Sequence, residues 1–360
     1  MDSDSGILKE ISLYRLRNRD FCKEGRFVMK SKMPAMTLIT IMVFVFSANI
    51  VLAAGKELKE VTCRWGWTFG MSYSPLVIAE KKGFFEKYGI KVKNFEGNSS
   101  GNAAKAVATG NDTFFFGDTP AFVQVAAAGA PIVIIGVLYQ QSAQCIASRA
   151  EKPILKPKDL EGKTIALTSG DMMSQVLPAI LEKNNVDKSK IKYVYVDAAA
   201  KAMMLEAGKV DGSGLSLSSQ VPSMEAKGVK MAYLKFADWG ANTLEYGAGT
   251  NRKVIQENPE VVSAFMKGLK DAVEWCLNPA NDGEKYAILA KEFPSYDRKV
   301  LERQWELRKQ MFYTPRTKGK PYSWTAEEDW QDLLTLLSKY SKFKGSLNPK
   351  DYYTNDFVAQ

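Results

Sequence analysis

Gly97-Asn98-Ser99-Ser100-Gly101 has the spacing of a G-x-S-x-G elbow, the strand–turn–helix in which hydrolases present a nucleophilic serine. A serine at such a turn needs a base, and the usual base is histidine. The 360-residue chain has no histidine. A Ser-His-Asp triad, a Cys-His pair and a His-ligated metal are therefore excluded. The same five residues also suit a hydroxyl-rich helix N-terminus, where unpaired backbone N–H groups receive an anion. Plain capping by Ser99 or Ser100 would use the same chemistry, and both readings stay open.

Other polar loops follow the same logic. Gly117-Asp118-Thr119-Pro120 ends one apolar run and opens another helix, so Asp118 or Thr119 is a cap that can also touch a ligand. Thr168-Ser169-Gly170-Asp171-Met172 has the same form further along, Asp197 ends a third run, and Ser216 and Ser218 end a fourth. Trp65-Gly66-Trp67-Thr68-Phe69 offers an aromatic wall, with Trp67 the candidate for stacking and one of the two tryptophans expected in the core. Tyr246 is a further candidate contact. The pocket loops hold no arginine apart from Arg64, which points away from Trp65 in a regular strand. Affinity would come from helix N-termini, charge-assisted hydrogen bonds and aromatic contact. Micromolar binding needs about −8 kcal/mol, and a helix N-terminus supplies roughly 0.3–2 kcal/mol.

The elements that must position these loops alternate in type. Strand patterns at 58–65, 90–95, 113–116 and 132–138 are separated by helical patterns at 75–88, 102–109 and 120–128. The order restarts with strands at 163–167, 191–196, 210–215 and 229–234, helices at 172–183 and 220–227, and a helix that follows the strand at 191–196 and ends at 206. Such alternation predicts βαβ units and a largely parallel sheet. The two blocks also match in detail. Ala103-Ala104-Lys105-Ala106 leads to Gly110 and a strand, and Ala199-Ala200-Lys201-Ala202 leads to Gly208 and a strand. Pro120 and Pro222 each open a short helix that ends at Gly129 or Gly228 before the next strand. An ordered internal repeat of this length predicts two similar α/β lobes. A strand pattern at 243–250 and helices at 259–277, 284–292, 298–310 and 326–341 complete the chain. The expected organisation is a first lobe of 54–140 plus 245–345, a second lobe of 141–244 and a C-terminal tail of 346–360. The chain then crosses between lobes twice.

The N-terminus reads as an address. Met36–Ala53 is eighteen residues without a charge, preceded by Lys30 and Lys32 and closed by Val51-Leu52-Ala53. A basic flank, an apolar run and a small-residue exit define a secretory signal peptide, with cleavage near Ala53. An uncleaved anchor is the alternative. Residues 1–53 hold eight Lys/Arg and five Asp/Glu, so the overall +9 becomes 41 minus 35, or +6, in the exported chain. The basic clusters are short and dispersed, which argues for solvated faces and against nucleic acid. Past the leader remain Cys63, Cys145 and Cys276, with no CxxC spacing, read as buried thiols.

PLVIAEKKGFFEKYGIKV, AVATGNDTFFFGD, AAAGAPIVIIGV, KPKDLEGKTIAL and NRKVIQENPEVVSAFMKGL resemble the solute-binding proteins of ABC importers for nitrate, sulfonates, taurine and the thiamine pyrimidine precursor. The resemblance runs from about Val61 to Leu277. It implies a type II periplasmic-binding fold, a small ligand held between two lobes that close on a hinge, and delivery to an ABC permease in the inner membrane. It also implies a periplasmic, monomeric receptor without catalysis or cofactor. The related fungal pyrimidine synthases carry a cysteine-rich motif and a histidine, and neither is present here. The expected ligand is a sulfonate, taurine or nitrate-like solute, with a pyrimidine as the alternative. The expected contacts are Trp67, Asn98, Ser99, Ser100, Gly101, Asp118, Thr119, Thr168, Ser169, Gly170, Asp197, Ser216 and Tyr246.

Overall fold

Ten strands and eleven helices make up the described part of the chain, residues 57–169 and 171–358 of a computed structural model. The leader and Gly170 lie outside the described residues. The strands are β1 (Lys59–Trp65), β2 (Ile90–Phe95), β3 (Phe114–Asp118), β4 (Ile132–Val137), β5 (Gln144–Arg149), β6 (Thr164–Leu167), β7 (Lys192–Tyr195), β8 (Gly212–Ser216), β9 (Met231–Lys235) and β10 (Tyr246–Asn251). The helices are α1 (Ser74–Lys81), α2 (Ser100–Ala108), α3 (Thr119–Ala127), α4 (Met172–Lys183), α5 (Ala198–Glu206), α6 (Gln220–Ala226), α7 (Arg252–Glu257), α8 (Pro259–Leu277), α9 (Asp282–Glu292), α10 (Arg298–Arg308) and α11 (Glu327–Tyr340).

The strands form two five-stranded sheets, β2-β1-β3-β10-β4 and β7-β6-β8-β5-β9. Each has four mutually parallel strands and one antiparallel strand, β10 in the first and β5 in the second. The antiparallel member is in each case the strand that arrives from the other sheet. The two sheets therefore share one topology, as the internal repeat predicts. Gly110 and Gly208 after the paired alanine-rich helices, and Gly129 and Gly228 after the paired Pro-initiated helices, all have positive φ.

The core of the first sheet is aromatic. Phe114 stacks on Phe265 of α8 at 4.1 Å between ring centroids, and Phe115 meets Phe122 of α3 at 4.1 Å. The second sheet packs Ile, Leu and Val against α4. Cys63, Cys145 and Cys276 are free and buried, and burial pushes each thiol up, Cys276 to about 12. Such thiols are unreactive.

The C-terminal helices contact both sheets' layers. α10 packs on the turn Met71–Tyr73 beside the first sheet and on α6 beside the second, with Arg303 paired to Glu225 at 2.7 Å. α11 packs on α4, where Lys339 and Tyr340 both hold Glu182. The segment after α11 returns to the first sheet. Tyr353 bridges Ile134 of β4 and stacks on Trp330 at 4.6 Å. Among the described residues no helix is long and apolar enough to cross a membrane.

Candidate ligand-binding site

The carboxyl ends of parallel strands are where an open α/β sheet binds ligands. In both sheets those ends border one cavity of about 590 Å³. Close packing at this edge requires small residues. A Cβ on Gly117 would lie 2.8 Å from Ser100 Oγ, and one on Gly97 would lie 2.0 Å from the carbonyl of Trp65.

The first sheet contributes an aromatic wall. The loop after β1 sets Trp67, Phe69 and Tyr73 against the cavity, Asp118 ends β3, and Glu245 and Tyr246 begin β10. Trp67 is 58% exposed and Trp65 only 3%. Trp65 is the core tryptophan, stacked on Tyr73 at 4.7 Å with its Nε1–H donating to Asn94. Phe69 is held by a ring stack on Phe293 at 3.5 Å and an edge contact with Tyr296 at 5.2 Å. The second sheet contributes polar groups, Ser216 at the end of β8, Ser218, Ser219 and Gln220 after it and Gln144 at the start of β5, beside the apolar Met173 and Met203 of α4 and α5. Ser216 and Ser218 share a hydroxyl contact of 2.9 Å.

Behind the lining residues Glu245, Ser218 and Tyr246 lies Arg308, the last residue of α10, which is 1% exposed. Its Nη1 meets Glu245 at 2.8 Å, its Nη2 donates to Ser218, and its guanidinium lies 4.6 Å from the Tyr139 ring and 5.4 Å from the Tyr246 ring. Glu245 also accepts from the backbone N–H of Ala143 at 2.8 Å. One buried ion pair thus joins α10, the loop before β5, the loop before β10 and the end of β8. The pocket-loop reading found no arginine because this one arrives from a distant helix. Asp118 precedes α3 but makes no capping hydrogen bond. Burial, then the charge of Glu245, pushes its carboxyl up to about 7. Burial, with Glu245 again adding, pushes the Tyr246 phenol up to about 12.

Of the residues singled out in the sequence, Trp67, Asp118, Ser216 and Tyr246 line the cavity. The others sit around it in other roles. Ser99 caps α2 by accepting from Asn102 N–H at 3.1 Å, and Asn98 accepts from the Asn102 side chain at 2.9 Å. Ser100 Oγ accepts from Asp118 N–H at 3.0 Å, which ties α2 to the end of β3. Gly101 lies in the first turn of α2, near Val125. Thr119 is buried, and its N–H donates to the Glu245 carbonyl at 2.7 Å. Thr168 carries a buried hydroxyl, and Ser169 is exposed. Asp171 caps α4 and pairs with the buried Lys201 at 2.9 Å. Asp197 accepts from Ala200 N–H at 2.8 Å at the start of α5. Arg64 pairs with Asp112 at 2.9 Å, away from the cavity as expected. Glu245, Gln144, Gln304 and Arg308 were not legible as site residues.

Ser99 spends its oxygen on its own helix, and among the described residues no group of three His, Cys, Asp or Glu could hold a metal. The arrangement is equipped to hold a molecule, with rings on one side, hydroxyls and amides on the other, and a buried ion pair behind.

Two α/β lobes of this shared topology around one cleft are the type II periplasmic-binding fold. Residues 71–281, more than half of the chain, match the NMT1/THI5-like family, and the chain belongs to it. It is 27% identical over 283 residues to a Bacillus subtilis protein named for aliphatic-sulfonate binding, covering 76% of this chain and 81% of that one. The periplasmic aliphatic sulphonate binding protein SsuA from Escherichia coli has the same fold, with TM-score 0.63, 17% identity and coverage of 78% of this chain and 86% of that one. So does the desulfurization enzyme DszB, with TM-score 0.58, 13% identity and coverage of 83% and 97%. The fold is thus shared by receptors and by an enzyme, and the site chemistry must separate them.

Proposed function

We propose that the protein is the exported binding receptor of an ABC importer, which captures a small organic anion or zwitterion between its lobes and hands it to a permease. The observation that carries this reading is the cavity of about 590 Å³ bordered by the carboxyl ends of both sheets, in a chain of this family. That volume suits a small solute. A sulfonate fits the hydroxyls after β8, while an alkyl or ring portion fits Trp67 and Phe69. The missing histidine and the capped Ser99 support binding without turnover.

A second reading has its own support. The aromatic wall beside Asp118 and Glu245 also suits an aminated ring such as a pyrimidine. Asp118 separates the two. With its carboxyl pushed up to about 7, it is neutral in acid and charged in base. An anionic ligand favours the neutral form, so its affinity falls as pH rises through about 7. A neutral amine that donates an N–H favours the carboxylate as acceptor, and its affinity rises over the same range.

Calorimetric titration with methanesulfonate, taurine, nitrate and 4-aminopyrimidine, at pH 5.5 and 8.5, tests both readings. Binding of a sulfonate that weakens at the higher pH supports the first. Tighter 4-aminopyrimidine binding at the higher pH moves the assignment to the second. Small-angle scattering with the bound probe should give a smaller radius of gyration, as two lobes joined by two crossovers rotate together. Mass spectrometry of the exported protein should show Ala54 first.

A further inference from the structure

Residues 298–308 lie beyond the matched family segment of 71–281, yet one of them, Gln304, lines the cavity. Gln304 and Arg308 are one helical turn and a fraction apart, so they share a face of α10. Arg308 secures that face through Glu245 and Ser218. Gln304 is 4% exposed, borders the cavity, and its Oε1 has no hydrogen-bond partner among the described residues. Gln144 of β5 also lines the cavity, and its Oε1 is likewise buried and without a hydrogen-bond partner among the described residues. Native proteins rarely leave buried side-chain acceptors unmade. Two carboxamides from separate elements, both unspent and both on one cavity, are the signature of a site that expects a hydrogen-bonding group from outside.

We propose that Gln304, together with Gln144, is a specificity-determining contact that holds an N–H-bearing group of the ligand, and that α10 is therefore part of the binding site. The inference rests on the receptor reading and adds the class of ligand: a molecule with an amino group at one end, whatever acid or ring it carries at the other. A site that hydrogen-bonds a ligand group rejects the analogue lacking it, because its own polar atoms are then left unpaired.

The test uses matched pairs of probes on the exported protein: taurine against ethanesulfonate, and 4-aminopyrimidine against pyrimidine. In a pair that binds, the amino member should be the tighter by about tenfold or more. Gln304→Leu, which keeps the size but not the amide, should cut that ratio to about twofold or less by weakening the amino member alone. Gln304→Glu, which keeps an acceptor, should retain or raise the ratio. Apo melting temperatures show that each variant is folded. An unchanged ratio in Gln304→Leu, or equal weakening of both members, overturns the contact while leaving the receptor reading in place. Should Gln304→Leu fail to fold, Gln304→Glu decides: a retained or raised ratio supports the contact, and a collapsed one overturns it. Failure of the wild-type protein to bind any of the four probes overturns the receptor reading for these ligand classes, and the contact with it.

Discussion

The two lobes repeat one topology, yet they face the cleft with opposite materials. The first sheet presents the exposed Trp67 together with Phe69, Tyr73 and Tyr246, whose rings pack on further rings such as Phe293, Trp65 and Phe116. The second presents Ser216, Ser218, Ser219 and Gln220, whose hydroxyls and amide bond to each other and to nearby backbone. A repeat that kept its connectivity and changed its surface divides the task of recognition. The aromatic lobe is a preorganised platform whose rings lose little freedom on binding, whereas the serine lobe can exchange its internal hydrogen bonds for those of a ligand. Arg308 belongs to neither repeat and touches both surfaces.

The largest expected effect comes from that shared residue. Arg308→Ala leaves Glu245 charged, buried and unpaired, which should cost about 3–5 kcal/mol of stability in denaturant unfolding. Adding Glu245→Gln should recover much of the loss. A cost below about 1 kcal/mol would mean that the pair is solvated, and that the lobes are not joined through it.

Asp118 should give the next effect, through pH. Its carboxyl is raised in the folded protein, so its contribution favours the fold below the ordinary range near 3.8 and is lost as pH rises through about 7. The ceiling is about 4 kcal/mol, from 1.36 kcal/mol per pH unit. Thermal melting without ligand should therefore decline from pH 4 to pH 8 more steeply in the wild type than in Asp118→Asn. Parallel profiles would show that the carboxyl titrates in its ordinary range.

Trp65 and Trp67 sharpen the contrast between platform and surface. Trp65→Ala empties a core position and should cost about 3–5 kcal/mol of stability. Trp67→Ala removes a mostly exposed ring and should leave apo melting near native, while weakening a bound probe about tenfold. A large drop in apo stability for Trp67→Ala, with affinity retained, would return that residue to the core.

These two tryptophans also show what the sequence could and could not convey. Strand alternation put both on one side, but β1 stops at Trp65, and beyond a strand's end its period carries no information. The bounds of α4 and α8 were legible to the residue, because each is a long periodic run with a clear start, Asp171 before one and Pro259 opening the other. The repeat made two lobes legible as well. β5 carries no strand signal of its own: QCIASR is short and lacks alternation, and only its antiparallel pairing with β8 and β9 makes it a strand. Gln304 and Arg308 were invisible for a related reason. Nothing local in α10 marks it as bordering the cleft, since its place is set by packing on Met71–Tyr73 and α6.

The smallest expected effects distinguish caps from contacts. Ser99 and Asp197 open α2 and α5, the equivalent helices of the two repeats, one with a hydroxyl and one with a carboxylate. Neither lines the cavity. Ser99→Ala and Asp197→Ala should each cost about 1 kcal/mol, the typical value of an N-cap, or roughly 2 °C in melting temperature for a protein of this size. Affinity for a bound probe should stay within about twofold of wild type. If either substitution lowers affinity by tenfold while the apo melting temperature moves no further than this, that cap reaches the ligand when the lobes close. The repeat would then present a matched pair of helix N-termini to one ligand, and the division between an aromatic lobe and a serine lobe would be less complete than the open cleft indicates.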